Sequence, residues 1–466
     1  MSQIGKWGSS LFFTALLAGC VASLPPIDPA RIPAAPEAFK EGDGRWTLAA
    51  PAEAQPRGDW WKAFADPVLD GLVERADRNH TSIQVAAARL TQARAFVRST
   101  EADRAPQVGA SAGAARVGGI VNGVGGPARS LFSAGAGLSY EADLFGRLAQ
   151  ATDAAVLDMR AREGLLQSAR LLVQAEVAQT YLALRAIDTE RLLVRSTVNA
   201  YQETLSLTER RYRAGDVAEL DVARARTEVA ATESDALALD RQRAELEHVL
   251  AVLVGEVPSA FAADAAEWNT ALPVIPAGVP SIVLSRRPDV SAAQRAMLAA
   301  QARVGAAKAA WFPSVSLTTT GGYASPDLGD LFKWSSRAWG VGAVLSLPVF
   351  DGGRRDAGIQ NAGAELDVAI ARYREQILAA FRDVEDQLAS LRLLAEQAEA
   401  QDRAVTSAAR STALSQVRYR NGYVSQLDLL DAQRSELRNR RQALQVRSAQ
   451  YQATVGLVRA LGGSWN

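Results

Sequence analysis

The sequence predicts a mainly α protein with a small membrane-crossing β part, written twice as tandem-duplicated long helical hairpins plus two β-hairpins. Three observations carry this reading. First, RYRNGYVSQLDLLDAQRSEL at 418–437 repeats RRYRAGDVAELDVARARTEV, with Tyr419, Gly422, Val424, Leu427 and Asp428 where the earlier copy has Tyr212, Gly215, Val217, Leu220 and Asp221. The offset is about 207 residues, and it also relates Pro106 to Pro313, Leu138 to Leu345, Arg147 to Arg354 and Gly255 to Gly462. Second, each copy holds a very long proline-free pattern of helical period. Third, each copy holds a pair of segments in which apolar and polar residues alternate.

The N-terminus comes first and is different in kind. Lys6 precedes an apolar run at 11–17 that is too short to span a bilayer, and Leu17-Ala18-Gly19 leads to Cys20, the single cysteine of the chain. Residues 1–19 therefore read as a signal peptide. The ending resembles the lipobox of bacterial lipoproteins, which implies that Cys20 becomes a lipidated N-terminus; an ordinary signal with an incidental cysteine is the other reading. Val21 in place of Asp implies, by the same resemblance, sorting to the outer membrane. Residues 20–58 are rich in Pro and Ala and read as an extended arm.

The first repeat, 59–257, opens with Trp60, Trp61 and Phe64, expected to anchor a core beside Leu69, Leu72 and Val73. Asp66-Pro67 is a helix start with Pro at the first helical position. A second Ala-rich helix runs over about 83–104 to Pro106. The period then changes to two: Phe132, Ala134, Ala136, Leu138 and Tyr140 alternate with small or polar neighbours, 107–117 alternates more weakly, and 118–130 reads as a glycine-rich loop between two strands. From 147 to about 213 apolar residues recur at steps of seven, among them Met159, Leu166, Val173, Ile187, Val194 and Tyr201, with Leu165, Leu172, Leu193 and Leu207 beside them. Two apolar stripes imply neighbours on two sides, on a helix of roughly 100 Å. A glycine tip and a return helix over about 217–254 follow.

Residues 258–280 form a proline-containing linker, and 281–466 repeat the design. Val315, Leu317 and Thr319, then Trp339, Val341, Ala343, Leu345 and Leu347, mark the second pair of strands; Ile370, Ile377, Val384, Leu391, Ala398 and Val405 mark the second long helix. No later stretch of about 18 apolar residues exists, so any membrane span must come from strands. Strands of roughly 11 residues suit an oblique crossing of an outer membrane. Four strands cannot close, and lipid offers an open edge no partner, so other copies must complete the wall. Two copies would give eight strands with a filled interior, and three would give twelve with a lumen. The trimer is expected, with the paired helices arranged as a tube. The rival is a soluble core containing ordinary hairpins; Tyr323, Trp334 and Trp339, clustered at one end of the second hairpin as an interfacial girdle would be, speak against it.

The run RRPDVSAAQRAMLAAQARVGAAKAAWFPSVSL at 286–317, the leading DWWKAFADPVLDGLV at 59–73 and the two tip motifs resemble the outer-membrane factors of the TolC type, in the lipoprotein branch that serves resistance-nodulation-division pumps. The resemblance covers essentially all of the chain after the signal. It implies a trimeric α-barrel in the periplasm continuing a 12-stranded β-barrel in the outer membrane. It also implies a homotrimer anchored in outer-membrane lipid, docking with a periplasmic adaptor protein and an inner-membrane resistance-nodulation-division pump, and acting as a passive, gated duct for drugs or other small molecules. An outer-membrane duct for type I protein or peptide secretion shares this architecture and stays open as the alternative.

The resemblance places a periplasmic gate at Asp428 and Asp431, three residues apart on one helix face, so that a trimer carries two rings of carboxylates that hold cations and repel anions. A solvated face with Asp431 paired to Arg434 is the other reading. The first repeat keeps Asp221 but has Ala223 and Arg224 where a second ring would stand. The family pattern further implies a bond from Tyr419 to Asp221 of a neighbouring helix pair. Val424 departs from that pattern, since some members have an Arg there; Arg420 is the candidate replacement. Gly215 and Gly422 are expected at adaptor-facing tips.

Other classes are poorly supported. Balanced charge gives no footprint for nucleic acid. One Cys and two His residues, His80 and His248, make a metal site improbable, and no nucleophile elbow or phosphate loop appears, so neither an enzyme nor a cofactor is expected. An adaptor protein would show one helical hairpin between globular β modules.

Overall fold

A computed structural model describes residues 24–36, 38–41, 58–121, 124–266, 268–273, 275 and 286–463. The signal segment and Cys20 lie outside the described residues, as do parts of the arm and of the linker. In order, the elements are α1 (Pro67–Asn79), α2 (Thr81–Ala102), β1 (Gln107–Val121), β2 (Val124–Ala142), α3 (Arg147–Ala214), α4 (Glu219–Leu253), α5 (Pro288–Ala309), β3 (Ser314–Ser325), β4 (Arg337–Ser346), α6 (Arg354–Arg420) and α7 (Gln426–Ala460). The series α2-β1-β2-α3-α4 is matched by α5-β3-β4-α6-α7, as the duplication requires.

Helix ends repeat as faithfully as their order. At both tips a glycine with positive φ closes the long helix, and the next residue reaches back: Asp216 N–H donates to Arg211 O at 2.9 Å and Tyr423 N–H to Arg418 O at 2.8 Å. The return helices end in the same way at Gly255 and Gly462, with φ of +77° and +92°. A Cβ on Gly255 would stand 2.9 Å from Asn79 O, and one on Gly462 2.9 Å from Arg286 O, which are corresponding residues of the two repeats. Arg287, inside the RRPDV run, explains part of that motif: it is buried, ion-paired with Asp289 and Asp383, and donates to Ala460 O at the end of α7.

The chain divides into two compact units. One contains the sheet and adjoining helical stretches; its apolar cluster is Met297, Ala300 and Val304 of α5 against Ala362, Leu366 and Ile370 of α6, with Ile27 of the arm packed on it. The other holds the aromatic anchors and both tips. There Trp60, Trp61 and Phe64 are buried, Asp66 caps α1 by accepting from Val68 and Leu69 N–H, and Tyr181 of α3 donates to Asp66 at 2.8 Å. Of the heptad stripe, Leu166, Val173, Ile187, Val194 and Tyr201 are buried, whereas Leu165 and Leu172 on the second stripe are exposed. The segment after α4 is less of a free linker than its prolines suggest: Trp268 is buried beside Tyr451, and buried Asp188, paired with Arg185, Arg191 and Arg243, steadies two arginines that donate to Asp264 O and Ala263 O.

The four strands form one antiparallel sheet in the order β1-β2-β3-β4. One expectation needs correction. The described residues of 118–130 are strand and not loop: β1 runs for 15 residues and β2 for 19, and Gly119 pairs with Gly126 and Ile120 with Gly125. Glycine weakens a strand but leaves its N–H and C=O free to pair, and two glycine-rich strands can continue a ladder that longer-range pairing has started. The first hairpin therefore exceeds the expected length, while β3 and β4 hold 12 and 10 residues. Register puts the alternating sets on a common face. Val108, Leu138, Thr319 and Val341 form one row across the sheet, Ala110, Ala136, Gly321 and Trp339 the next. This face is uncovered, with Trp339 and Val341 each 78% exposed, and β1 and β4 each have one ladder partner among the described residues.

Gly255→Ala and Gly462→Ala are each expected to lower stability by about 1–3 kcal/mol through left-handed backbone strain and the carbonyl contact. Gly363→Ala, within α6 and with nothing near its Cβ, should leave the thermal midpoint unchanged or slightly raised. Thermal unfolding of the three variants in detergent checks this; equal midpoints would contradict it.

Candidate functional site

The second tip is held by a buried polar cluster that joins three helices. Thr208 of α3, Tyr419 of α6 and Gln426 of α7 are all buried. Thr208 donates its single hydroxyl proton to Thr204 O at 2.8 Å, so its oxygen accepts from Gln426 Nε2 at 3.1 Å and from Tyr419 Oη at 3.4 Å. Arg211 lies over the Tyr419 ring, 4.8 Å from its centroid, and donates to the carbonyls of Tyr419 and Arg420. In this conformation Tyr419 bonds Thr208, and Asp221 of the same chain accepts from Ala218 N–H.

Asp221 and Asp428 occupy the same place in their repeats, the third residue of a return helix, and each turns its carboxylate back to the helix start. Asp428 accepts from Ser425 N–H at 3.0 Å and Ser425 Oγ at 2.7 Å, while its own N–H donates to Ser425 Oγ at 3.2 Å, a complete capping box. These bonds to Ser425 hold its carboxyl below the usual range. The first tip has only half of this device, because Ala218 offers no acceptor; Asp221 receives Ala218 N–H at 3.4 Å and stands 3.8 Å from Arg224. The shared Asp is therefore accounted for locally by capping, and one exposed carboxylate oxygen of Asp428 remains for other work.

Asp431, one turn on, is exposed and accepts from Arg434 at 3.1 Å, the pairing that the solvated-face reading expects. Arg434 also bonds Glu228 of α4, which holds its guanidinium charge on more firmly than usual. Next to that bridge, burial pushes the Tyr201 hydroxyl up to about 12. A cleft of about 380 Å³ opens here, lined by Tyr201, Glu228, Asp235, Arg434, Arg438 and Arg441. Gly215 and Gly422 stand at the tips; Val424 is half-buried, and Arg420 contributes its carbonyl to the Arg211 contact. Sequence reasoning missed Thr208, Arg211, Glu228 and Gln426. Their partners lie some two hundred residues away, and nothing local marks a Thr or Gln on a helix as a partner for a distant Tyr.

Two stretches, 72–256 and 279–463, match the family described as outer membrane efflux protein, and they stand apart by the same spacing as the internal repeat. The chain is 33% identical over 462 residues to the probable efflux pump outer membrane protein TtgC of Pseudomonas putida, across 98% of this chain and 95% of that one. It is 32% identical over 419 residues to the cation efflux system protein CusC of Escherichia coli, across 90% and 91% of the two chains. The solved outer-membrane channel OprN superposes with a TM-score of 0.88 at 30% identity, over 95% of this chain and 99% of that one.

Thr208→Val removes the acceptor shared by two buried donors and is expected to destabilise the second tip by about 1–3 kcal/mol. Tyr419→Phe should cost less, since its bond is long. Amide exchange over 415–432 reports both; exchange that is equally slow in Thr208→Val and wild type would rule out the cluster as the tie.

Proposed function

The chain belongs to the outer membrane efflux protein family, and from that premise we propose that it works as a homotrimeric, lipid-anchored duct gated at its periplasmic tips. It is the outer-membrane channel component of an efflux system. The observation that carries the trimer is the sheet: among the described residues its apolar face is uncovered and β1 and β4 have one ladder partner each, an arrangement that suits lipid only when further copies close it. Three copies make twelve strands and leave a lumen. The exposed second stripe of α3 supports the same assembly, since Leu165 and Leu172 would meet a neighbouring chain.

Transport through such a duct is passive. Energy comes from an inner-membrane pump of the resistance-nodulation-division type, joined to this chain by a periplasmic adaptor that meets the tips around Gly215 and Gly422. Cys20 is the lipidation site, after removal of 1–19 as a signal. Residues 59–257 and 281–466 are the two efflux repeats, each a set of helix, β-hairpin and long helical hairpin. The cargo is drugs or other small molecules, in keeping with relatives named for efflux pumps.

The gate lies at Asp428 and Asp431. Threefold symmetry turns each into a ring of carboxylates, and the Ser425 bonds favour the ionised form of Asp428. The Thr208, Tyr419 and Gln426 cluster keeps α6 and α7 against α3, and the Arg434 bridge ties α7 to α4. Opening requires α7 to leave these contacts.

In a planar bilayer the full-length protein is expected to form a cation-preferring channel of low conductance. Tyr419→Phe combined with Asp428→Ala should raise that conductance several-fold and weaken the cation preference. Unchanged conductance would remove the gate assignment, and no channel at all would remove the duct.

A further inference from the structure

Several arginines along the helices are matched to carboxylates, as in the Arg287, Arg434 and Arg441 pairs. The end of the sheet away from its helices carries Lys333, Arg116, Arg129 and Arg337. Lys333, in the connection between β3 and β4, pairs with Asp330 at 2.6 Å. Arg116, Arg129 and Arg337 have no carboxylate at ion-pair distance among the described residues.

Register assigns these three to different faces. Arg116 opposes Ser130 and follows Val108, Ala110, Ala112 and Ala114 at steps of two, so it stands on the apolar face. Arg337 opposes Tyr323, which opposes Ala134, and this row continues the same face two residues beyond Trp339. Arg129 opposes Val117 and belongs to the other face. The Arg337 guanidinium lies 4.0 Å from the centroid of the Trp334 ring, which is 74% exposed, and Phe332 packs edge-on against Tyr323 at 5.7 Å. An apolar face that ends in exposed aromatics and then in arginine has the composition of a bilayer interface.

We propose that Arg116 and Arg337 form a binding site for the phosphate groups of lipids in the leaflet that meets the hairpin ends. The proposal rests on the sheet being the membrane-crossing part of a closed barrel. A guanidinium presents paired donors that match phosphate geometry. Closing the barrel sets β4 of one copy beside β1 of the next, which brings Arg337 and Arg116 onto adjoining strands. The apolar rows of Trp339 and Val341 adjoin the arginines. Acyl chains on those rows and a phosphate on the arginines engage both parts at once, so the ligand is a lipid and not inorganic phosphate.

The test uses the full-length protein in detergent with phosphorylated lipid A, dephosphorylated lipid A and inorganic phosphate, reading bound lipid by native mass spectrometry. Wild type is expected to retain phosphorylated lipid A, and the Arg116→Gln/Arg337→Gln variant to bind it at least about tenfold more weakly. Arg129→Gln on the opposite face should bind as wild type does, and Arg116→Lys/Arg337→Lys should keep most of the affinity, which separates lost charge from lost fold. Equal retention by wild type and the double Gln variant would overturn the proposal. So would equal binding of dephosphorylated lipid A, or displacement of the lipid by inorganic phosphate. A wild type that forms no channel in a planar bilayer defeats the duct reading; a conducting channel whose lipid binding ignores the double substitution defeats only this site.

Discussion

A four-stranded antiparallel sheet cannot sit in lipid by itself, because the outward N–H and C=O groups of β1 and β4 would have no partner there. Water could satisfy those edges, but water would then also meet Val108, Leu138, Trp339 and Val341, which share one face. The two demands conflict in a monomer and agree in a closed ring, where neighbouring copies supply the ladder and lipid covers the face. Edge closure therefore ties together what one chain contributes, how many copies are needed and where the assembly can reside.

The helices answer the same requirement in apolar contacts. A single stripe on α3 would be satisfied by α4 and α7, and Val194 does pack with Leu239 of α4, and Tyr201 with Val229 of α4 and Leu430 of α7. A second, exposed stripe has no use within one chain. Duplication supplies paired walls cheaply, yet the halves have diverged where they meet other segments. Gln174 of the first repeat accepts from Trp60, whereas the corresponding Phe381 packs against Phe39 of the arm, and Glu385 nearby receives the N–H groups of Lys40 and Glu41. One ancestral surface thus came to hold two different pieces of the N-terminal region.

Much of this was legible from periodicity. A step of seven, a step of two and a repeated tip each reflect a local geometry that residues impose on their neighbours, so the long helices, the strands and the tips appear at their expected places. The glycine-rich part of the first hairpin did not, because its pairing comes from ladder partners across the turn and not from its own alternation. At the tip, Asp428 and Asp431 could be named from spacing and resemblance. Their bonds, from Ser425 to Asp428 and from Arg434 to Asp431, are local enough to see, whereas the further bond from Arg434 to Glu228 of α4 is not. The Tyr419 contact with Thr208 belongs to the second kind: it depends on how two helical hairpins lie side by side, which neither hairpin encodes alone.

The central claim is that one chain brings a third of a wall. Native mass spectrometry of the full-length protein released from detergent measures the number of copies directly. Three copies per particle, with a sheet signal in the far-ultraviolet spectrum, is the predicted result; a particle of one or two copies that stays soluble without detergent would contradict it.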